Sequence, residues 1–480
     1  MLLDHRAGMD ARDSDSATPL MRALEAGAGE VAMMLIQRGA DIYLADFDGR
    51  RAIHIASEKN LERVVRCLLA KDVDPDARDY LGETPLSYAL RREDREEKPA
   101  DTAVIRLLLG RGANPCIGRT NSGSTPLHIA AANNLTAELY LLAAAATKPP
   151  TQEALELKTN EQFAETPLWL ASRNGHTDSV NILLDHGANP STSCDHPDCP
   201  TPLWAALEAG HLESAAVLLS HGADPNARDP SGQSLLHKPW ALTNRATLDL
   251  LLTHGADPDL QDPKDGNRPL HHAILAGSRP AAARLLAAGA DPDGVNAKDE
   301  TPLMTACMTG RPTLTLLLLT VNTTTTTSNN NNNNNNNSDS TGSKVKKPAD
   351  IHRTTASGCD ALYCAAMAGD MLSATALVAR GAAPDRRNRK GNTALHVAAR
   401  TGRLEMAVWL LANGADKGLR STVAFEGLGA AGTPAEVARE AGEVGVAEVI
   451  EGFGEGGEVK WGLEMVLTRK DVGAKWGKIK

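Results

Sequence analysis

Gly123-Ser124-Thr125-Pro126-Leu127-His128-Ile129-Ala130-Ala131 returns, lightly altered, as Gly391-Asn392-Thr393-Ala394-Leu395-His396-Val397-Ala398-Ala399. Working outward from these two stretches, a Thr-Pro-Leu-like signal begins at Thr18, Arg51, Thr84, Thr125, Thr166, Thr201, Ser234, Arg268, Thr301, Asp360, Thr393 and Thr433. The base spacing is 33 residues, and longer gaps are insertions. A second marker, Gly-Ala-Asp/Asn, begins at Gly39, Gly112, Gly187, Gly222, Gly255, Gly289 and Gly414, with Gly381-Ala382-Ala383 as a variant. It follows the first marker by 21 residues in every such copy except the one ending at Gly112, where the interval is 28. Two markers locked together at a fixed period indicate a repeat architecture, in which each unit buries its apolar face on its neighbours.

The residues of one copy explain its local structure. Thr caps a helix, and Pro fits the first helical position, where no amide partner is needed. Leu-His-x-Ala-Ala makes a short first helix whose alanines permit close packing. Gly near the ninth place, as at Gly175 or Gly210, stops that helix with positive φ. A second helix ends in paired leucines such as Leu183-Leu184 or Leu218-Leu219. The Gly of the triplet closes it, and Asp-x-x-Gly turns the chain through a hairpin.

These two stretches, with Gly222-Ala223-Asp224-Pro225-Asn226-Ala227-Arg228-Asp229 at the other end of the unit, closely resemble the ankyrin repeat family. The resemblance covers roughly residues 1–454 apart from insertions. It implies an all-α ankyrin-repeat solenoid: a right-handed stack of helix-turn-helix pairs with β-hairpin fingers at right angles. It also implies protein binding without catalysis, and hydrogen bonding by the marker histidines to neighbouring turns.

Residues 1–17 read as a partial repeat, 18–322 as repeats one to nine, 351–454 as repeats ten to twelve, and 455–480 as a basic tail. Extra residues lie in 91–101, and a long finger spans 148–160. The segment 323–350 holds five Thr in a row and then nine Asn, a composition that buries no core and is expected to be disordered. A solenoid needs a polar cap, and none is visible at the start. Either a degenerate half-repeat is tolerated there, or the chain is a piece of a longer protein.

Composition narrows the function. The 480 residues carry a net charge of −10, which disfavours nucleic acid as the principal partner. Seven scattered cysteines do not form a disulfide framework, and the N-terminus has no secretory apolar core. The longest apolar run, near 314–321, is far too short to span a bilayer. An intracellular monomer, cytoplasmic or nuclear, is expected. No catalytic motif fits its context: Gly452-Phe453-Gly454-Glu455-Gly456-Gly457 follows a helix rather than a strand. Cys194, His196 and Cys199 are zinc-ligand types but lack a fourth ligand, and that segment reads as a turn. No enzyme activity, cofactor or metal is expected. Trp169 and Trp204 replace the marker His in repeats five and six, either as core filling or as an exposed patch.

Partner contacts are expected on the concave face and hairpin tips, at positions that differ between copies. The expected partner-binding residues are Phe47, Asp48, Arg50, Tyr80, Leu81, Arg91, Arg92, Phe163, Arg173 and Glu208. Arg389, Lys390 and Arg400 vary in the same way. Aromatic residues at otherwise polar tips, together with Arg, are the types enriched in binding hot spots. The reading is a non-catalytic interaction scaffold or adaptor. The alternative is the targeting arm of a larger multidomain signalling protein or enzyme.

Overall fold

A computed structural model describes residues 8–91, 102–147, 154–160, 163–195, 200–320, 348–422 and 431–454. The described residues form 24 short α-helices, nearly all in pairs that recur with the sequence period. The chain divides into two compact units, Met1–Pro263 and Lys264–Lys480. Arg92, His196, Cys199, the Asn run and the basic tail lie outside the described residues.

Repeat six shows the local logic. Thr201 has extended backbone, and its hydroxyl accepts the N–H of Trp204 at 3.3 Å, capping the Pro202–Glu208 helix. Its partner helix, Leu212–Ser220, turns Ser214, Ala215, Leu218 and Leu219 inward. First helices pack on first helices, and second on second, along each unit. The core is therefore a ribbon of Leu and Ala running through the repeats, with no central cluster. Small residues at the contacts let helices of only seven to nine residues approach closely.

Histidine ties one repeat to the next. In His54, His128, His237, His271 and His396, Nδ1 accepts the N–H of the residue three places earlier at 3.0–3.2 Å. The proton therefore sits on Nε2, which donates to a carbonyl of the following finger: Ala77, Glu165, Leu260, Glu300 or Gly432, at 2.9–3.2 Å. This is the duty the family resemblance implies for the marker histidine. All five rings are buried. Burial drives His128, His271 and His396 down to about 4, against the opposing pull of the carbonyl each one holds, and lowers His54 as well. Where His is replaced at this place, as in repeats five and six, the Thr hydroxyl still takes the N–H of the third helical residue.

The fingers are turns held by side chains. Asp46 Oδ1 accepts from Asp48 and Arg50, Asp79 from Leu81 and Glu83, and Asn388 from Lys390 and Asn392. Only two isolated bridges, Ala45 with Arg51 and Arg228 with Ser234, carry strand pairing among the described residues. Fingertips then bond to one another in series. Phe47 N–H reaches Asp15 O, Tyr80 reaches Asp48 O, Thr120 reaches Leu81 O, and Asp195 reaches Phe163 O, all at 2.8–3.0 Å. Gly82 is required in this series: at φ +78°, any Cβ would lie 2.9 Å from the Thr120 backbone nitrogen.

The long insertion leaves the second unit in register. The Pro312–Thr320 and Met371–Ala379 helices pack as consecutive outer helices. Ser373 Oγ donates to Thr315 Oγ1 at 2.9 Å, and Asp350 N–H to Asp293 at 2.7 Å.

Candidate protein-binding face

The expected contact residues separate into an exposed group and a group the fold uses itself. Phe47 and Tyr80 are 76% and 74% exposed, and Leu81 is 53% exposed. They occupy adjacent fingertips joined by the Tyr80 to Asp48 backbone bond. Gly49 makes room for the Tyr80 ring, since a Cβ there would sit 2.7 Å from Tyr80 Cδ1. Asp48 is exposed beside them. The result is an apolar strip with an acidic border.

Arg50 and Arg91 are engaged inside the stack. Arg50 Nε meets Asp46 at 2.8 Å, and its Nη2 meets Glu25 at 3.2 Å. Arg91 and Arg119 both hold Oε1 of Glu83, a carboxylate with no solvent exposure. Burial pushes the Glu83 carboxyl above its usual range, with the Arg91 bond and charge opposing it. Arg91 also lies 5.0 Å from the Tyr88 ring. Its charge is therefore committed to joining fingers.

Further along, Arg173 lies 5.2 Å from the Trp169 ring and 3.9 Å from Glu165, with half of its side chain exposed. Phe163 is half-buried and Glu208 is exposed. Trp169 and Trp204 are fully buried, which settles them as core filling. Lys238 stands 5.5 Å from the Trp204 ring, and Trp240 meets that ring edge-on at 6.5 Å. Tyr43, 53% exposed, was not anticipated; its hydroxyl donates to Lys71 O at 3.2 Å. A Tyr just after a Gly-Ala-Asp triplet is the signal that marks it in sequence. Among the described residues, no helix is long and apolar enough to cross a membrane.

The family model for ankyrin repeats (three copies) matches residues 53–153, 142–229, 240–334 and 332–421. Inversin of Canis lupus familiaris is 25% identical over 224 residues, which is 41% of this chain and 20% of that protein. The human transient receptor potential cation channel subfamily A member 1 is 27% identical over 178 residues, covering 37% of this chain and 15% of the channel. A probable E3 ubiquitin-protein ligase of rice, XBOS33, is 30% identical over 193 residues, or 40% of this chain and 29% of the ligase. The chain thus spans less than a third of the length of these relatives. With the family match running over most of a chain whose repeats stack as described, the protein belongs to the ankyrin repeat family.

Proposed function

We propose that the protein is a non-catalytic scaffold whose finger and first-helix face in repeats two to six binds a protein segment. Ankyrin repeats generally mediate protein–protein interaction. The observation that carries the reading here is the exposed strip of Phe47, Tyr80 and Leu81 on bonded neighbouring fingers. Large aromatics held rigidly at a surface lose little entropy on binding and make strong anchors. The Arg50, Arg91 and Arg119 pairs hold that surface in shape. The test is affinity capture from the native cell with the full chain and with a Phe47→Ala/Tyr80→Ala variant of unchanged circular dichroism. Specific partners should be lost from the variant, with a penalty of about 2 kcal/mol or more at a true anchor. Identical captured sets would sink the proposal.

The lengths of the relatives favour a second reading, the targeting arm of a larger protein. The intact mass of the endogenous polypeptide separates the two. A mass near 50.7 kDa supports the free scaffold, and a clearly larger one the arm.

A further inference from the structure

The first three fingers hold most of the negative charge of the chain. Residues 10–16, 41–50 and 72–83 carry eleven Asp and Glu against three Arg, a balance of −8 in a chain of −10. The stack neutralises part of this charge itself: Asp13 and Asp15 meet Arg22, Asp46 meets Arg50, and Glu83 meets Arg91 and Arg119. Asp48 stays in solvent, with 71% of its side chain exposed. Arg50 stands 3.8 Å from it but is drawn closer to Asp46, at 2.8 Å, and to Glu25, at 3.2 Å.

The bonded tips set acid and ring in register. Asp15 and Asp48 hold the same place on successive fingers, 33 residues apart, and each gives its backbone carbonyl to the next tip. Phe47 and Tyr80 hold the place that donates the N–H. An acidic column therefore runs beside an aromatic one. Elsewhere the chain completes this combination from within. Arg91 pairs with Glu83 and lies 5.0 Å from the Tyr88 ring. Arg173 is 3.9 Å from Glu165 and 5.2 Å from the Trp169 ring. Lys238 meets Asp229 at 2.7 Å and stands 5.5 Å from the Trp204 ring. In all three, one cation serves a carboxylate and a ring together, because the negative face of the ring attracts it as the carboxylate does. At Phe47, Asp48 and Tyr80 the rings and the carboxylate stand at the surface, open to a cation brought from outside.

We infer that this strip binds an Arg-rich segment of a partner protein, with guanidinium groups over Phe47 and Tyr80 and paired with Asp48. The inference rests on the reading of the strip as a protein-binding face and names the chemistry of its partner. Arg suits the place better than Lys, since its planar, weakly hydrated guanidinium stacks on a ring and bonds a carboxylate at once. The −8 balance of the three fingers attracts such a segment and repels acidic segments and nucleic acid.

The probe is a fluorescein-labelled peptide of repeating Arg-Gly-Ser, followed by anisotropy on the full chain, with Lys-Gly-Ser of equal charge and neutral Gln-Gly-Ser beside it. The Arg peptide should bind about threefold or more tighter than the Lys peptide, and the Gln peptide should not bind. Phe47→Leu/Tyr80→Leu keeps apolar side chains on the tips but removes the rings, and should weaken the Arg peptide about tenfold. Asp48→Asn should weaken it about threefold. Asp224→Asn removes an equal charge from an exposed turn of repeat six, where Asn can still accept the Asn226 N–H, and should leave binding unchanged. Unchanged circular dichroism shows that each variant is folded. Equal affinity for the Arg and Lys peptides, parental affinity in Phe47→Leu/Tyr80→Leu, an Asp224→Asn loss equal to that of Asp48→Asn, or no binding of the Arg peptide would overturn the inference. If specific partners are nonetheless lost from the Phe47→Ala/Tyr80→Ala variant, the face binds protein and only the cationic partner is refuted.

Discussion

Acid should loosen this stack through its marker histidines, and His271 gives the cleanest case. Its Nδ1 accepts the Arg268 N–H at 3.2 Å and its Nε2 holds Glu300 O at 3.0 Å, so a second ring proton has no acceptor. Burial holds the folded-state value at about 4, while an unfolded imidazole titrates near 6.5. Between these values the unfolded chain binds more protons, so stability is fully present above about pH 6.5 and falls as pH drops toward about 4. Linkage over that interval gives a loss of about 2 kcal/mol for this one side chain between about pH 8 and about pH 5. His128 and His396 share the arrangement and the direction. The assay is urea unfolding at both pH values, by circular dichroism, of the parent and of His271→Met. Methionine is the residue that repeat nine carries at the same place, as Met304. The variant should be weaker at pH 8 because two hydrogen bonds are gone, yet its loss on acidification should be smaller than the parent's by about 2 kcal/mol. Every other titrating group is common to both proteins and drops out of the comparison. Equal losses on acidification would refute the reasoning, as would nitrogen chemical shifts showing His271 titrating near 6.5 in the folded chain.

Three further outcomes follow from the packing. Leu183→Ala or Leu218→Ala, each fully buried, should cost about 2–5 kcal/mol in denaturant unfolding through the cavity left behind. Thr201→Ala removes the hydroxyl that accepts Trp204 N–H and should cost about 1 kcal/mol by the same measurement, with Thr201→Ser recovering most of it. Glu83→Gln leaves Arg91 and Arg119 without their shared carboxylate; a loss of about 2 kcal/mol is expected, and a neutral result would show that the pair is dispensable.

The architecture was legible because the period is carried by residues with strict backbone duties. Thr-Pro starts a helix and Gly ends one wherever they fall, so boundaries such as Pro202–Glu208 follow from the letters alone. Phe47 and Tyr80 were legible for a related reason: an apolar side chain at a fingertip has no core within reach. Arg50 and Arg91 carry no comparable signal. Whether an Arg faces solvent or a carboxylate depends on side chains such as Glu25, 25 residues before Arg50, which meet it only once the repeats have stacked. Trp169 and Trp204 were open between core and surface until Trp240, contributed by the following repeat, could be seen against Trp204. Asn392 was readable in principle, since aligning the repeats places it where Glu83 and Glu165 stand. Its burial without partners is a property of the assembled fold alone.

The stack closes across the Thr/Asn-rich segment as it does elsewhere, and this has an evolutionary consequence. From the end of the Pro312–Thr320 helix to Asp360 the connection is about three times its usual length, which costs only about 1 kcal/mol in closure entropy, and doubling it again adds about 0.6. The Thr315–Ser373 contact does not register that length. A homopolymeric tract at this point is therefore close to invisible to selection on stability. Replication slippage can lengthen or shorten the Asn run between individuals while the repeats on either side stay matched, so tract length should vary more freely than any other dimension of the molecule.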